Sequence, residues 1–345
     1  MKKGAIAGKK ILLRAVNWIG DAVMMVPSVN AVKKMYPDAE IAVLGRGKIN
    51  DVLSLAGIVD RFIKYDIPPD LLELKERVKL AREIKAEGFS KCFVFPNSFD
   101  SALVPYMAGI PERIGFGSFP RIILLSKTVK IPVAEMHQAQ KYFELVKADG
   151  FSGDMPDFNM AADEASVKWA ETFLSMNCRN RAVPLVGISP GAEYGPAKRW
   201  FPDRFASLIN RIKNVYNAEI ILLGSKNDMD VCGAVKRQVS ETIIDTSGKT
   251  TIKQLAAILK KVKLLITNDT GTMHLAAALQ TPVLAIFGST DAKATSPVKG
   301  NITIIRKETE CSPCLNRICH RKTYECFSRI SVDEVFGSLK KFLGP

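Results

Sequence analysis

Between residues 10 and 96, short apolar runs alternate with stretches whose apolar residues recur at helical spacing. Lys10–Val16 (KILLRAV), Glu40–Gly45 (EIAVLG), Arg61–Tyr65 and Lys91–Pro96 (KCFVFP) have the length and branching of buried strands. Between them, Asp21–Tyr36, Lys48–Ala56 and Leu71–Glu87 read as amphipathic helices. The second half follows the same order. Pro184–Ser189, Glu219–Gly224, Thr242–Asp245, Lys263–Thr267 and Pro282–Gly288 read as strands. Helices are expected over Ala165–Met176, Pro202–Val215, Asp228–Val239, Thr251–Lys260, Thr272–Leu279 and Val332–Phe342. Strands that alternate with helices imply parallel pairing through crossover units.

Gly150–Asp163, rich in Gly, Pro, Asp and Met, reads as a connector between two such arrays. The expected fold is α/β, with two Rossmann-like domains whose parallel sheets face across a ligand cleft. The expected domains are 1–165 and 166–330, with a C-terminal helix in 331–345 crossing back to the first. A length of 345 residues suits two domains of about 100–200 residues each.

Composition narrows the class. With 24% charged residues, 47% hydrophobic residues and a mean hydropathy of +0.06, the chain is neither a disordered polyelectrolyte nor an integral membrane protein. The longest uncharged run, Thr270–Thr290, contains Gly271, His274, Gln280, Pro282 and Gly288, and so reads as helix, turn and strand. Lys2, Lys3, Lys9, Lys10 and Arg14 break any apolar signal core, which points to a cytoplasmic protein. Net charge is +14, unevenly divided. Residues 1–165 hold 23 Lys+Arg against 20 Asp+Glu, a net of +3, and the remainder carries +11. That excess suits nucleic acid, a membrane surface, a phosphorylated ligand or simply a solubilising surface.

Four loops at strand ends are candidates for chemistry. Asn17-Trp18-Ile19-Gly20-Asp21 follows the first strand, with Asp21 at a helix start, where it either caps the helix or faces a ligand. Ser189–Trp200 (SPGAEYGPAKRW) can bring backbone N–H groups and Lys198 onto phosphate oxygens. In Thr267–His274 (TNDTGTMH) a buried strand opens into a helix, whose N–H groups and dipole favour an anion beside Thr270, Gly271 and Thr272. Asp269 would orient that turn, and His274 fits a packed position. Asp228, after Gly224-Ser225, either accepts from a ribose or caps the next helix.

Of the seven cysteines, Cys92, Cys178 and Cys232 suit buried thiols, whereas Cys311, Cys314, Cys319 and Cys326 cluster as C-x2-C-x4-C-x6-C. Reduced thiols, a labile disulfide and a structural zinc site are all compatible with that spacing.

NWIGDAVMMVPSV, VFPNSFDSALVPYMAGIPERIGF, PGAEYGPAKRWFP and TNDTGTMHLAAAL together resemble glycosyltransferase family 9, the heptosyltransferases, over about Lys10 to Leu339. The resemblance implies a GT-B fold with an acceptor domain first and an ADP-sugar domain second. It implies inverting transfer of L-glycero-D-manno-heptose from ADP-heptose to the lipopolysaccharide inner core. The PGAEYGPAKRW form favours the second heptose, hence a lipid A–Kdo–heptose acceptor. Asp21 would be the general base. Lys198, Asp269, Thr270, Gly271, Thr272 and, less securely, Asp228 would bind the donor. Asn17, Trp18, Asn97, Ser98 and Ser101 are conjectured on the acceptor side. Lys198 and the turn at Thr270–Thr272 would meet the leaving group's charge, so catalysis is expected to need no metal or other cofactor. A lipid-anchored acceptor implies work at the cytoplasmic face of the inner membrane, with Lys2, Lys3, Lys9 and Lys10 attracted to anionic lipid. A GT-B relative acting on another nucleotide sugar, such as an epimerase, is a second reading. A basic nucleic-acid binder is a third, against which stand 8% aromatics and the lack of an RNA-binding signature.

Overall fold

A computed structural model describes residues 8–68, 73–131 and 136–344. Lys2, Lys3 and Leu71 lie outside them. The chain divides into two compact units between Asn159 and Met160.

The first unit runs β1 (Lys10–Arg14), α1 (Ile19–Met35), β2 (Glu40–Gly45), α2 (Gly47–Ser54), β3 (Arg61–Lys64) and α3 (Leu74–Glu87). It continues with β4 (Lys91–Val94), α4 (Phe99–Met107), β5 (Glu112–Phe116), β6 (Lys127–Val129) and α5 (Gln138–Ala148). The sheet order is β3-β2-β1-β4-β5-β6, paired in parallel throughout.

The second unit opens with α6 (Glu164–Asn177), β7 (Leu185–Ser189), α7 (Pro202–Tyr216), β8 (Glu219–Leu222), α8 (Met229–Lys236) and β9 (Ile244–Asp245). Then come α9 (Ile252–Leu259), β10 (Leu264–Asn268), α10 (Gly271–Ala278), β11 (Val283–Phe287), α11 (Ala292–Thr295) and β12 (Ile302–Arg306). Three short helices close the chain: α12 (Glu325–Ser328), α13 (Val332–Gly337) and α14 (Lys340–Leu343). Its sheet order, β12-β11-β10-β7-β8-β9, is also parallel.

The central strands are apolar almost without interruption because helices cover both faces. Every residue of β10 and β11 is buried. Helix α7 shows how sequence sets an element. Pro202 fills its first turn, Phe205, Ala206, Leu208, Ile209 and Ile212 bury one face, and Asn217 ends it at φ 46°.

In both sheets the strand order reverses beside the first strand of the unit, between β1 and β4 and between β7 and β10. Ligands bind open α/β sheets at that reversal, outside the carboxyl ends of the strands. The four loops there are Asn17–Asp21, Asn97–Ser101, Ser189–Trp200 and Asp269–Thr272.

The C-terminal segment is two short helices, α13 and α14, rather than the single helix expected over Val332–Phe342. Val335, Phe336, Leu339 and Phe342 belong to the second unit's own core with Trp200, Phe205 and Ile212. Their apolar faces are the lid that α7 needs.

Candidate active site

In the first unit the helix begins at Ile19 with Trp18 as N-cap, so Asp21 is not the capping residue but lies in the first turn of α1. The positive end of the helix favours its ionised form. Tyr142, on α5, donates its hydroxyl to Asp21 Oδ1 at 2.9 Å. Its ring packs edge-on against Phe95 at 5.9 Å. Burial, and next the Asp21 carboxylate, push the Tyr142 pKa well above the ordinary value, so it stays a donor.

Asn17 is half-buried and Trp18 exposed on the same loop. On the neighbouring loop, Ser98 caps α4 by accepting from Ser101 N at 3.3 Å. The Ser101 hydroxyl is turned inward, donating to Ser98 O at 2.6 Å. Asn97 and Ser98 face outward, whereas Ser101 is buried and shapes the helix start. Beneath α4, Asp100 accepts from Tyr65 Oη at 3.0 Å and from Arg77 Nε at 2.7 Å. Arg14 lies 4.1 Å from the Tyr65 ring centroid. These buried groups fix where the loop stands.

In the second unit, Lys198 Nζ lies 2.6 Å from Asp269 Oδ2, and Thr290 Oγ1 donates to the same oxygen at 2.6 Å. The carboxylate therefore holds Lys198 at the start of α10. Thr270, the N-cap, makes no side-chain cap there. Asn268 joins the two loops, donating to Pro190 O at 2.8 Å and accepting from Trp200 N at 3.0 Å. Cation, uncapped helix start and glycine-rich loop thus converge at the strand reversal, an arrangement suited to a diphosphate. His274 is buried within α10.

Asp228 takes the capping role that its position allowed, and only one of its carboxylate oxygens is used in it. Its Oδ2 accepts from Ser225 N at 3.0 Å and Ser225 Oγ at 2.7 Å as a capping box. Its Oδ1 is buried against Gly191, where an added Cβ would lie 2.1 Å away. Asp228 therefore props the Gly191 loop from behind. Asp228 and Asp230 also form the chain's one Asp-x-Asp spacing, but Asp228 is buried in its cap while Asp230 is exposed.

The cysteine-rich segment braces the same loop. Ala197 N donates to Arg317 O at 3.0 Å, and Tyr194 Oη to Leu315 O at 2.6 Å. Gly195 has φ 148°, and a Cβ there would lie 2.4 Å from Arg317 O. Cys311, Cys314, Cys319 and Cys326 line one cavity of about 10 Å³ with Ala197 and Ser289. Burial, then the other three thiols, push Cys326 up to about 11. Among the described residues, no three His, Cys, Asp or Glu side chains are gathered to hold a metal ion.

Tyr142 and Thr290 were not among the candidates, and Asn268 lay within the Thr267–His274 loop without a role of its own. Asn268 and Thr290 stand at strand ends, where a polar residue after an apolar run is a usable signal.

Two parallel α/β units with a polar loop pair at each strand reversal define a GT-B glycosyltransferase. Residues 77–325 match the model of glycosyltransferase family 9 (heptosyltransferase), and the chain belongs to that family. It is 29% identical over 306 residues to lipopolysaccharide heptosyltransferase 2 of Escherichia coli K12, covering 86% of this chain and 88% of that protein. It is 30% identical over 315 residues to lipooligosaccharide heptosyltransferase 2 of Haemophilus ducreyi, with 86% and 88% covered. Among solved structures it resembles E. coli ADP-heptose lipopolysaccharide heptosyltransferase II, with a TM-score of 0.83 and 25% identity. That likeness spans 97% of this chain and 98% of the other.

Proposed function

We propose that this chain transfers L-glycero-D-manno-heptose from ADP-heptose to a heptose of the lipopolysaccharide inner core, adding the second heptose with inversion. The first unit would take the lipid A–Kdo–heptose acceptor and the second the donor. The observation that carries the reading is the pair of loops at each strand reversal, one pair built around a carboxylate and the other around a lysine and a helix start.

A sugar hydroxyl is a poor nucleophile until a base takes its proton. Asp21 is that base, in the first turn of α1 and held by Tyr142. The hydroxyl oxygen bonds to the anomeric carbon as the bond to the ADP phosphate oxygen breaks on the opposite face, which inverts the centre. Charge then develops on the diphosphate. Lys198 and the N–H groups of Gly271 and Thr272 stand ready to receive it, so the step needs no divalent cation. Asp269 positions the lysine, and Thr290 holds Asp269. The enzyme would work at the cytoplasmic face of the inner membrane, where its acceptor is anchored.

The test is release of ADP and the mass of the product. ADP-heptose with a heptosyl-Kdo-lipid A acceptor should yield an acceptor heavier by one heptose, with or without a chelator. Turnover of a UDP-sugar without any acceptor would favour an epimerase-like relative instead.

A further inference from the structure

Between β5 and β6 the usual distribution of polar and apolar side chains is reversed. In the sequence Phe119-Pro120-Arg121-Ile122-Ile123-Leu124, the arginine is inside, 1% exposed. Phe119 is 87% exposed, Ile123 65% and Ile122 43%. The reversal is anchored. Arg121 donates to the carbonyl of Phe116, to Val94 O at 3.3 Å and to Pro96 O at 2.7 Å, and Leu124 is buried beneath it. Burial lowers the Arg121 pKa to about 10, which marks how far its charge is from water.

Three large apolar side chains on one short turn are unusual for a surface that meets only water. Their surroundings are basic. Residues 113–131 hold Arg113, Arg121, Lys127 and Lys130 and no carboxylate. Lys130 is exposed beside β6, next to Ile131, which is also exposed, while Lys127 on β6 is exposed with its ammonium donating to Ala148 O at the end of α5. The turn lies against β6. Gly117 N donates to Val129 O at 2.9 Å, and the space over Gly117 is filled by Thr128 and Ile122. Apolar tips and lysines therefore share one edge of the unit. Because Arg121 grips Pro96 O, that edge adjoins the outward Asn97–Ser98 turn.

We propose that Phe119, Ile122 and Ile123, flanked by Lys127 and Lys130, dock the first unit on an anionic phospholipid bilayer. The apolar tips enter the boundary between headgroups and acyl chains, and the lysines meet lipid phosphates. Neither signal holds a protein on a membrane well by itself, and together they do so reversibly. The use of such a surface, bringing Asn97 and Ser98 to a lipid-anchored sugar, rests on the proposed transfer. The surface itself rests on exposure and charge alone.

The test is co-sedimentation of the full chain with phosphatidylcholine vesicles, with and without phosphatidylglycerol. Wild type should bind the anionic vesicles and be weakened by salt. Phe119→Ser and Ile123→Ser should each lower the partition coefficient about tenfold. Lys127→Glu with Lys130→Glu should weaken binding to anionic vesicles only, and all variants should keep their turnover on a water-soluble acceptor oligosaccharide. Wild type that fails to bind anionic vesicles, or serine variants that bind as wild type does, would overturn the proposal. So would serine variants that only convert a dimer to monomer in sedimentation velocity, since the patch would then belong to a second copy of the chain. Vesicle binding without any heptose transfer would leave the docking surface standing and remove the transfer reading.

Discussion

The Tyr142 hydroxyl donates to Asp21 Oδ1 at 2.9 Å across 121 positions of sequence. The tyrosine stays protonated because burial and the adjacent carboxylate raise its pKa well above the ordinary value. Asp21→Asn should lower kcat by about 10²–10⁴-fold, as loss of a general base does, with the donor KM little changed. Tyr142→Phe should lower kcat/KM by about tenfold and move the acid limb of its pH profile upward, because the ionised carboxylate loses a donor. An unshifted limb in Tyr142→Phe, with Asp21→Asn inactive, would leave the base in place and remove the tyrosine from its positioning.

Lys198 and Asp269 make opposite predictions for ADP binding. Lys198→Ala should weaken it by about tenfold or more, since a charge-assisted contact is lost. If Asp269 only repelled phosphate, Asp269→Asn would bind ADP more tightly. Because it holds Lys198 at 2.6 Å, the variant should bind more weakly, by several-fold in calorimetry. Tighter binding would refute the positioning role.

Gly195→Ala asks for a side chain at φ 148° and 2.4 Å from a backbone oxygen, neither of which can give way locally. ADP affinity should fall by about tenfold, while the melting temperature drops by only a few degrees. Unchanged affinity would show that the loop adapts without cost to binding.

Alkali should unfold the protein for an identifiable reason. Tyr142, Tyr36 and Tyr65 have raised pKa values, chiefly from burial, and Cys92 and Cys232 are pushed up to about 12. In the unfolded chain tyrosine ionises near about 10 and cysteine near about 8.5. The unfolded state therefore sheds protons that the folded state keeps, and stability falls as pH rises. It is fully present below about pH 8.5 and is lost progressively towards about pH 12. The urea midpoint should decline steadily over that interval, and Cys232→Ala should decline less steeply. A flat midpoint would mean that these groups titrate alike in both states.

Much of this was legible in the sequence, for physical reasons that differ by element. Strands β1, β2, β4, β7, β8, β10 and β11 announce themselves because buried parallel strands must be apolar on both faces, whereas β3 and β9 are sheet edges with little or no full burial. β5, β6 and β12 do not announce themselves. Glu112 and Arg113 open β5 in solvent, β6 has three residues, and β12 is a half-exposed edge. The site loops are local motifs, so Asp21, Lys198 and Asp269 could be picked out. The choice between cap and ligand for Asp21 and Asp228 depends on where a helix starts to within one residue, which sequence does not define. Tyr142 left no trace because its contact is set by how α5 packs on α1. The outward Phe119, Ile122 and Ile123 run against the rule by which apolar residues are read as core.

The carbonyl of Arg317 occupies the space that a side chain at residue 195 would need, and it also accepts from Ala197. The donor loop and the cysteine-rich segment are therefore moulded to each other, although more than a hundred residues separate them. For anyone building chimeras with relatives, they form one exchangeable cassette. A foreign PGAEYGPAKRW-type loop grafted without its matching 311–326 segment would meet a mould cast for another shape. Donor specificity would then travel only with both pieces.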